Sequence, residues 1–164
     1  MPRPASTAQA PRASETQVLR GTFNYLWTHP LVGWVARRNT GGMYDKMGRY
    51  VAYGDLGDSD LYGYLKTAVH IEIEVKAPHK WPGHHLIDKW DAMPIWTGRK
   101  GKPRPAFYRS DYQHRIVRQR AALRRAWLCG CCAGVLEDVT EVDLIIGPQR
   151  MPVRLWPDWS NVPF

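Results

Sequence analysis

Apolar residues recur along this chain in two rhythms, and the switches between them mark its elements. Val18, Leu19, Phe23, Leu26 and Trp27 fall at helical spacing behind Ser14 and Gln17, a capping-box pair, so a helix is expected from Glu15 to about Trp27. The mostly apolar run from Leu31 to Arg38 reads as a strand ending at the Asn39-Thr40-Gly41-Gly42 turn, and a second strand is expected around Arg49 to Tyr53. After the glycine-rich turn Gly54 to Asp60, Leu61 to Leu65 and Val69 to Lys76 read as the arms of a hairpin joined by Lys66-Thr67-Ala68. In the second arm Val69, Ile71, Ile73 and Val75 share one face and His70, Glu72, Glu74 and Lys76 the other, because side chains alternate along a strand.

The pattern then lapses. Residues 77–110 are rich in Pro, Gly, His, Trp and basic side chains without a sustained period, so they read as an insertion or long loop. Periodicity returns in a helix capped by Asp111 and running to about Cys129, with Gly130 as its stop. A short apolar strand, Cys131 to Leu136, follows, and Asp138 with Glu141 opens a last short helix through Ile146. The tail from Leu155 to Phe164, with Trp156 and Trp159, is expected to dock across the body. Helix, a run of strands, helix, strand and helix together predict an α/β domain, with a mixed central sheet flanked by helices around an αβββαβ core. It would span 15–164, behind a flexible tail at 1–14 that is rich in Pro, Ala, Ser and Thr and lacks a signal peptide's apolar stretch.

Charge narrows the partners. Lys and Arg number 23 against 15 Asp and Glu, a formal +8, which favours a polyanion and nucleic acid first. No apolar run approaches the roughly 18 residues a membrane span needs, so a membrane partner is not expected. Cys129, Cys131 and Cys132 are too close and too odd in number for a disulfide framework, which points to a reducing cytoplasm. A zinc reading of that cluster lacks a second ligand pair, and a metal or HNH-type reading of His79, His84 and His85 lacks partner ligands.

The polar residues of the hairpin carry the chemistry. Hydrolysing a phosphodiester needs an activated water and neutralisation of charge on the phosphoryl oxygens, which a Mg²⁺ ion held by one or two carboxylates can serve. Asp60 at the start of one arm and Glu74 on the next can converge across the sheet, and Lys76, two residues past Glu74, projects from the same face. The plainer alternative is a solvated strand face of ion pairs formed by Glu72, Glu74 and Lys76. Gln119 argues against it, because it falls inside the apolar stripe of Ile116, Leu123, Ala126 and Trp127, where an amide must find partners or cost stability: the carboxylates and Lys76 of the facing sheet edge, or water if it sits at the rim of the stripe. Glu72 shares the carboxylate face one step farther from Lys76, where a second metal is conceivable. Arg115, Arg118, Arg120, Arg124 and Arg125 flank the stripe, and Arg99 to Arg104 form a dense basic run, near Trp81, Trp90 and Trp96, suited to phosphate contact and stacking on unpaired bases.

The run GDSDLYGYLKTAVHIEIEVK, with Gln119 on the following helix, resembles the VRR-NUC branch of the PD-(D/E)XK nucleases. Gly57 and Asp60 match that family's Gly-x-x-Asp, Ile73-Glu74-Val75-Lys76 its I-E-V-K, and Gln119 its helical Gln. Glu15 fits its opening helix, and Arg38-Asn39 with Gly41 or Gly42 fits its R-N-x-G turn. Ser59 stands where the family usually has Pro, and about forty residues separate Lys76 from Gln119 where the family has far fewer. The resemblance implies a restriction-endonuclease-like fold, a single nuclease domain at 15–164 with its insertion at 77–110, and Mg²⁺-dependent cleavage of DNA, with Mn²⁺ as a substitute. Asp60, Glu74, Lys76 and Gln119 would be catalytic, Glu15, Asp60, Glu74 and Val75 would hold the metal, and Arg37, Arg38, Asn39, Arg115 and Arg118 would contact DNA. Branched substrates such as Holliday junctions or flaps, a homodimer, and the cytoplasm of a bacterium or phage-infected cell are the family's implied setting. Trp90, Met93, Trp96, Trp156 and Trp159 form the expected dimer patch. A catalytically inactive DNA-binding or architectural module and a sequence-specific restriction-like enzyme are the alternatives.

Overall fold

The computed structural model describes residues 13–38, 41–44, 47, 50–53, 58–96 and 105–158. The Ser14–Gln17 box caps α1, Glu15–Thr28, as its spacing predicts, and the chain then enters β1, Val32–Arg37. Strands β2, Gly41–Tyr44, and β3, Tyr50–Tyr53, follow, then β4, Leu61–Leu65, and β5, His70–Val75. Helices α2, His84–Asp91, and α3, Asp111–Leu128, lead to β6, Cys132–Leu136, then a short 3-10 turn, Val139–Glu141, and α4, Val142–Ile146.

The result is a mixed α/β architecture: a four-stranded sheet in the order β1-β4-β5-β6, flanked by helices. The β1-β4 and β4-β5 pairs are antiparallel, whereas β5 and β6 run parallel because the chain crosses over through α3 to reach β6. Ile71, Ile73 and Val75 face a core with Val18 and Leu26 of α1 and Val142 and Ile145 of α4. On the other face Ala133 and Val135 pack with Leu123 of α3 and with Leu155, which brings the C-terminal segment onto the body as expected. Burying each such side chain stabilises the fold by roughly 1.5–3 kcal/mol. Strand β5 is therefore covered on both faces, and every residue from Ile73 to Val75 is buried.

Three expectations are corrected. The second strand, β3, lies outside the main sheet, because it pairs with β2 in a separate two-stranded ladder. The insertion is not all loop: α2 forms within it, burying Ile87 against Ile116 and Val117 of α3, and Trp81 and Trp90 pack against the same cluster. Helix α3 is capped by Ser110, whose hydroxyl accepts from the Gln113 N–H, so Asp111 is its first residue rather than its cap. Gly130, just beyond α3, adopts φ +87°, which suits its expected role as the helix stop. No helix among the described residues is long and apolar enough to cross a membrane. Residues 1–12 of the tail expected at 1–14, the basic run 99–104, Asn39, Gly57, Trp159 and Phe164 lie outside the described residues.

Strands β1 and β4 approach closely at one point, where a Cβ on Gly63 would run into the carbonyl oxygen of Trp34. Gly63→Ala is expected to destabilise the fold by about 1–3 kcal/mol, the usual cost of overpacking, read as a lower midpoint in urea unfolding.

Candidate active site

The β4-β5 register pairs Leu61 with Ile73 and Tyr62 with Glu72, so one further step sets Asp60 opposite Glu74. The backbone holds Asp60 there twice: its carbonyl accepts from the Arg38 N–H at 2.8 Å, and its Oδ2 accepts from the Val75 N–H at 2.8 Å. Glu74 is fully buried between the sheet and α3. Its Oε1 accepts from Lys76 Nζ and, at 2.6 Å, from Gln119 Nε2, which α3 lowers onto the strand. Gln119 thus meets the carboxylate rather than water. Glu74 Oε2 has no hydrogen-bond partner although it is buried, and neither has Gln119 Oε1.

This packing reshapes the titration of the site. Burial, followed by the neighbouring Asp60 carboxylate, pushes Glu74 up to about 8, and Lys76 offsets only part of that rise. Burial also raises Asp60, against the opposing pull of the Val75 N–H and Lys76. Burial alone would lower Lys76, but Glu74, Asp60 and Glu15 outweigh it and hold the ammonium above its ordinary value. Glu15, the first residue of α1, is close enough to raise both carboxylates, and Arg37 is close enough to lower Asp60.

Asp60, Glu74, Val75, Lys76 and Gln119 are therefore brought together, with Glu15 within electrostatic reach. The expected DNA contacts divide. Arg37, Arg115 and Arg118 are exposed. Arg38 is engaged: its guanidinium forks onto Glu72 at 3.3 and 3.5 Å, pairs with Asp58 at 3.5 Å, and lies over the Tyr62 ring. Ser59 also bonds Glu72, and His70 Nδ1 stands 3.6 Å from it. Glu72 is thus held by several protein partners. Arg38, Asp58, Ser59, His70 and Glu72 line a cavity of about 190 Å³ closed by Ala122, Leu123 and Ala126 of α3. Sequence reasoning left this network out. Its one sequence signal was alternation within β5, which puts Glu72 on the same face as Glu74.

Among the described residues, no three His, Cys, Asp or Glu side chains group so as to hold a metal ion by themselves, the three cysteines and His79, His84 and His85 included. The Asp60–Glu74 pair nonetheless fits a hard cation, which takes few protein acids, accepts carbonyl or water oxygens for the rest, and would satisfy the orphaned Glu74 Oε2.

A carboxyl raised from 4.5 to about 8 binds more protons in the folded than in the unfolded chain, so its stabilising effect is full below pH 4.5 and is lost as the pH climbs through 8. Asp60 shifts in the same direction. In EDTA, thermal melts of the wild type should therefore fall across that window, and Glu74→Gln, which carries no ionisable group, should fall less and melt higher at its alkaline end. No family model, curated protein or solved structure matches this chain.

Proposed function

We propose that this chain is a divalent-metal-dependent DNA endonuclease of the restriction-endonuclease-like kind, acting on branched DNA such as junctions or flaps. The observation that carries the reading is the environment of Glu74: a fully buried carboxylate with one unsatisfied oxygen, opposite a second acid and bonded to a Lys and a Gln. A purely structural ion pair has no use for a second carboxylate that pushes its acid toward neutrality. A cation-binding, phosphate-facing site does.

In this reading Asp60, Glu74, the Val75 backbone and Glu15 hold Mg²⁺ or Mn²⁺. When bound, the metal lowers the pKa of water and neutralises charge growing on the phosphoryl oxygens. The protein's own groups do the rest. The Val75 N–H fixes the Asp60 carboxylate so that its other oxygen is free to ligate. Gln119 orients Glu74 from above the strand. Lys76 keeps its charge, because its surroundings are acidic, and would offer its ammonium to the negative charge of a scissile phosphate. Exposed Arg37, Arg115 and Arg118, within a chain of net +8, supply phosphate contacts that position the backbone. Two copies, each with one site, would make the paired cuts that a two-fold junction requires. Within the patch first expected for their contact, Trp90 packs toward α3 and Trp156 lies against Trp127.

Cleavage of a junction, a flap, a single strand and a blunt duplex, compared in Mg²⁺ and in EDTA, tests the activity. Mg²⁺ and Mn²⁺ should support cutting, Ca²⁺ should permit binding with little turnover, and EDTA should abolish cutting. Asp60→Ala, Glu74→Ala and Lys76→Ala should each fall below about a thousandth of the wild-type rate, with Gln119→Ala affected less. Near-normal turnover by Glu74→Ala would sink the assignment. Saturating Mg²⁺ should also raise the melting temperature, by the equivalent of about 2.7 kcal/mol at a hundred times Kd, and Asp60→Ala should lose that gain.

A further inference from the structure

The sheet face that carries Glu74 also carries aromatic residues that phosphodiester hydrolysis leaves unused. Its cross-strand rows run from Asp60 and Glu74 to Ala36, Tyr62 and Glu72, and then to Trp34, Tyr64 and His70. Trp34 meets Tyr62 edge-on at 5.4 Å between ring centroids and stacks on Tyr64 at 6.1 Å with 28° between planes. Tyr64 in turn meets the His70 ring at 5.1 Å, and the Arg38 guanidinium lies 4.5 Å from the Tyr62 centroid. Helix α3 packs on β6 and β5, and over the β1-β4 half Trp34 stays 44% and Tyr64 48% exposed.

We infer that Trp34, Tyr62 and Tyr64 form a stacking platform for unpaired bases of a DNA strand whose backbone passes the Asp60–Glu74 pair. The inference rests on the nuclease reading and adds to it a binding site for single-stranded DNA. Its first support is continuity, since the rings lie one and two rows from the carboxylates on the same three strands. Rows two residues apart are about 7 Å apart, roughly twice the 3.4 Å rise of a stacked duplex strand, a spacing that suits bases pulled out of their stack. Charge is the second support. Lys66, exposed, follows β4 at the end of the β1-β4 pair beyond Trp34 and Tyr64, where it suits a polyanion; a second copy of this +8 chain would meet like charge. Exposed rings on a sheet accept any base, because every base offers a π-face.

The test measures the affinity of a short labelled oligo(dT) and of a blunt duplex by fluorescence anisotropy, both in EDTA. Trp34→Ala and Tyr64→Ala should each weaken oligo(dT) binding by about 5- to 100-fold and change duplex binding by less than about two-fold. Trp34→Phe, which keeps a ring, should restore most of the loss. Because both residues are half exposed, unchanged melting curves will show that the fold survives. Equal losses on both ligands, or none on either, would overturn the platform. So would a wild-type dimer that Trp34→Ala dissociates, by light scattering, without altering oligo(dT) affinity, since the face would then belong to a second copy. Metal-dependent cleavage with Trp34-insensitive oligo(dT) binding removes the platform alone. Ring-dependent oligo(dT) binding without cleavage of any substrate supports the platform and removes the nuclease reading.

Discussion

A carboxylate held out of water is the constraint around which this structure is arranged. Taking Glu74 from solvent costs several kcal/mol if it stays charged, and its environment answers that cost only in part. Lys76 supplies a countercharge and Gln119 a donor, but both go to the same oxygen, and the nearest other charged group across the strand is Asp60. Strand β5 is paired on both edges and covered on both faces, so Glu74 stays buried while α3 lies on the sheet. A protein selected for stability alone would place an apolar residue there. Retaining an acid in such a place costs stability, which is what the proposed cation-binding role would account for.

The rest of the fold can be read as support for that position. Residues Ile71, Ile73 and Val75 lock the strand from below through α1 and α4, and the parallel partner β6 fixes its far edge. The close approach at Gly63 draws β1 against β4 and so sets where Asp60 begins. Asp60 itself needs no side chain to orient it, because the Val75 N–H and its own carbonyl are both bonded. Backbone hydrogen bonds thereby convert a register into a fixed pairing of two carboxylates.

How much of this was legible in the sequence follows from the range of the interactions. Local signals held: the Ser14–Gln17 box starts α1, the alternation from His70 to Val75 makes β5, and Asp138 with Glu141 caps the turn before α4. The pairing of Asp60 with Glu74 was legible too, because a short hairpin leaves little freedom in register. Gln119 could be flagged only as misplaced on an apolar stripe; that it reaches Glu74 depends on how α3 docks. Where one tertiary contact decides, local reading went wrong. Helix α2 has no strong cap, since Gly83 makes no side-chain bond to it, and it exists because Ile87 is buried against Ile116 and Val117. Strand β3 has an ordinary strand pattern, and nothing in that pattern states which neighbour it will choose. Ser110 lost to Asp111 in the reading because both are good caps, and only the Gln113 bond separates them.

The two faces of the sheet explain why one small protein has room for both a sealed carboxylate and open rings. One face is closed by α1 and α4, which removes it from function and leaves it to stability. The other is divided. Helix α3 lies over β5 and β6, where it delivers Gln119 and seals Glu74, and it leaves Trp34 and Tyr64 on the β1-β4 half in contact with solvent. The Arg38–Glu72–Asp58 network stands at the boundary and keeps it polar, so the apolar core beneath α3 ends where the aromatic surface begins. Shifting α3 by one strand toward β1 would bury the rings and expose the acid, exchanging both properties at once. The position of a single helix therefore determines which groups on this face are dry enough to have their chemistry altered and which are wet enough to be reached.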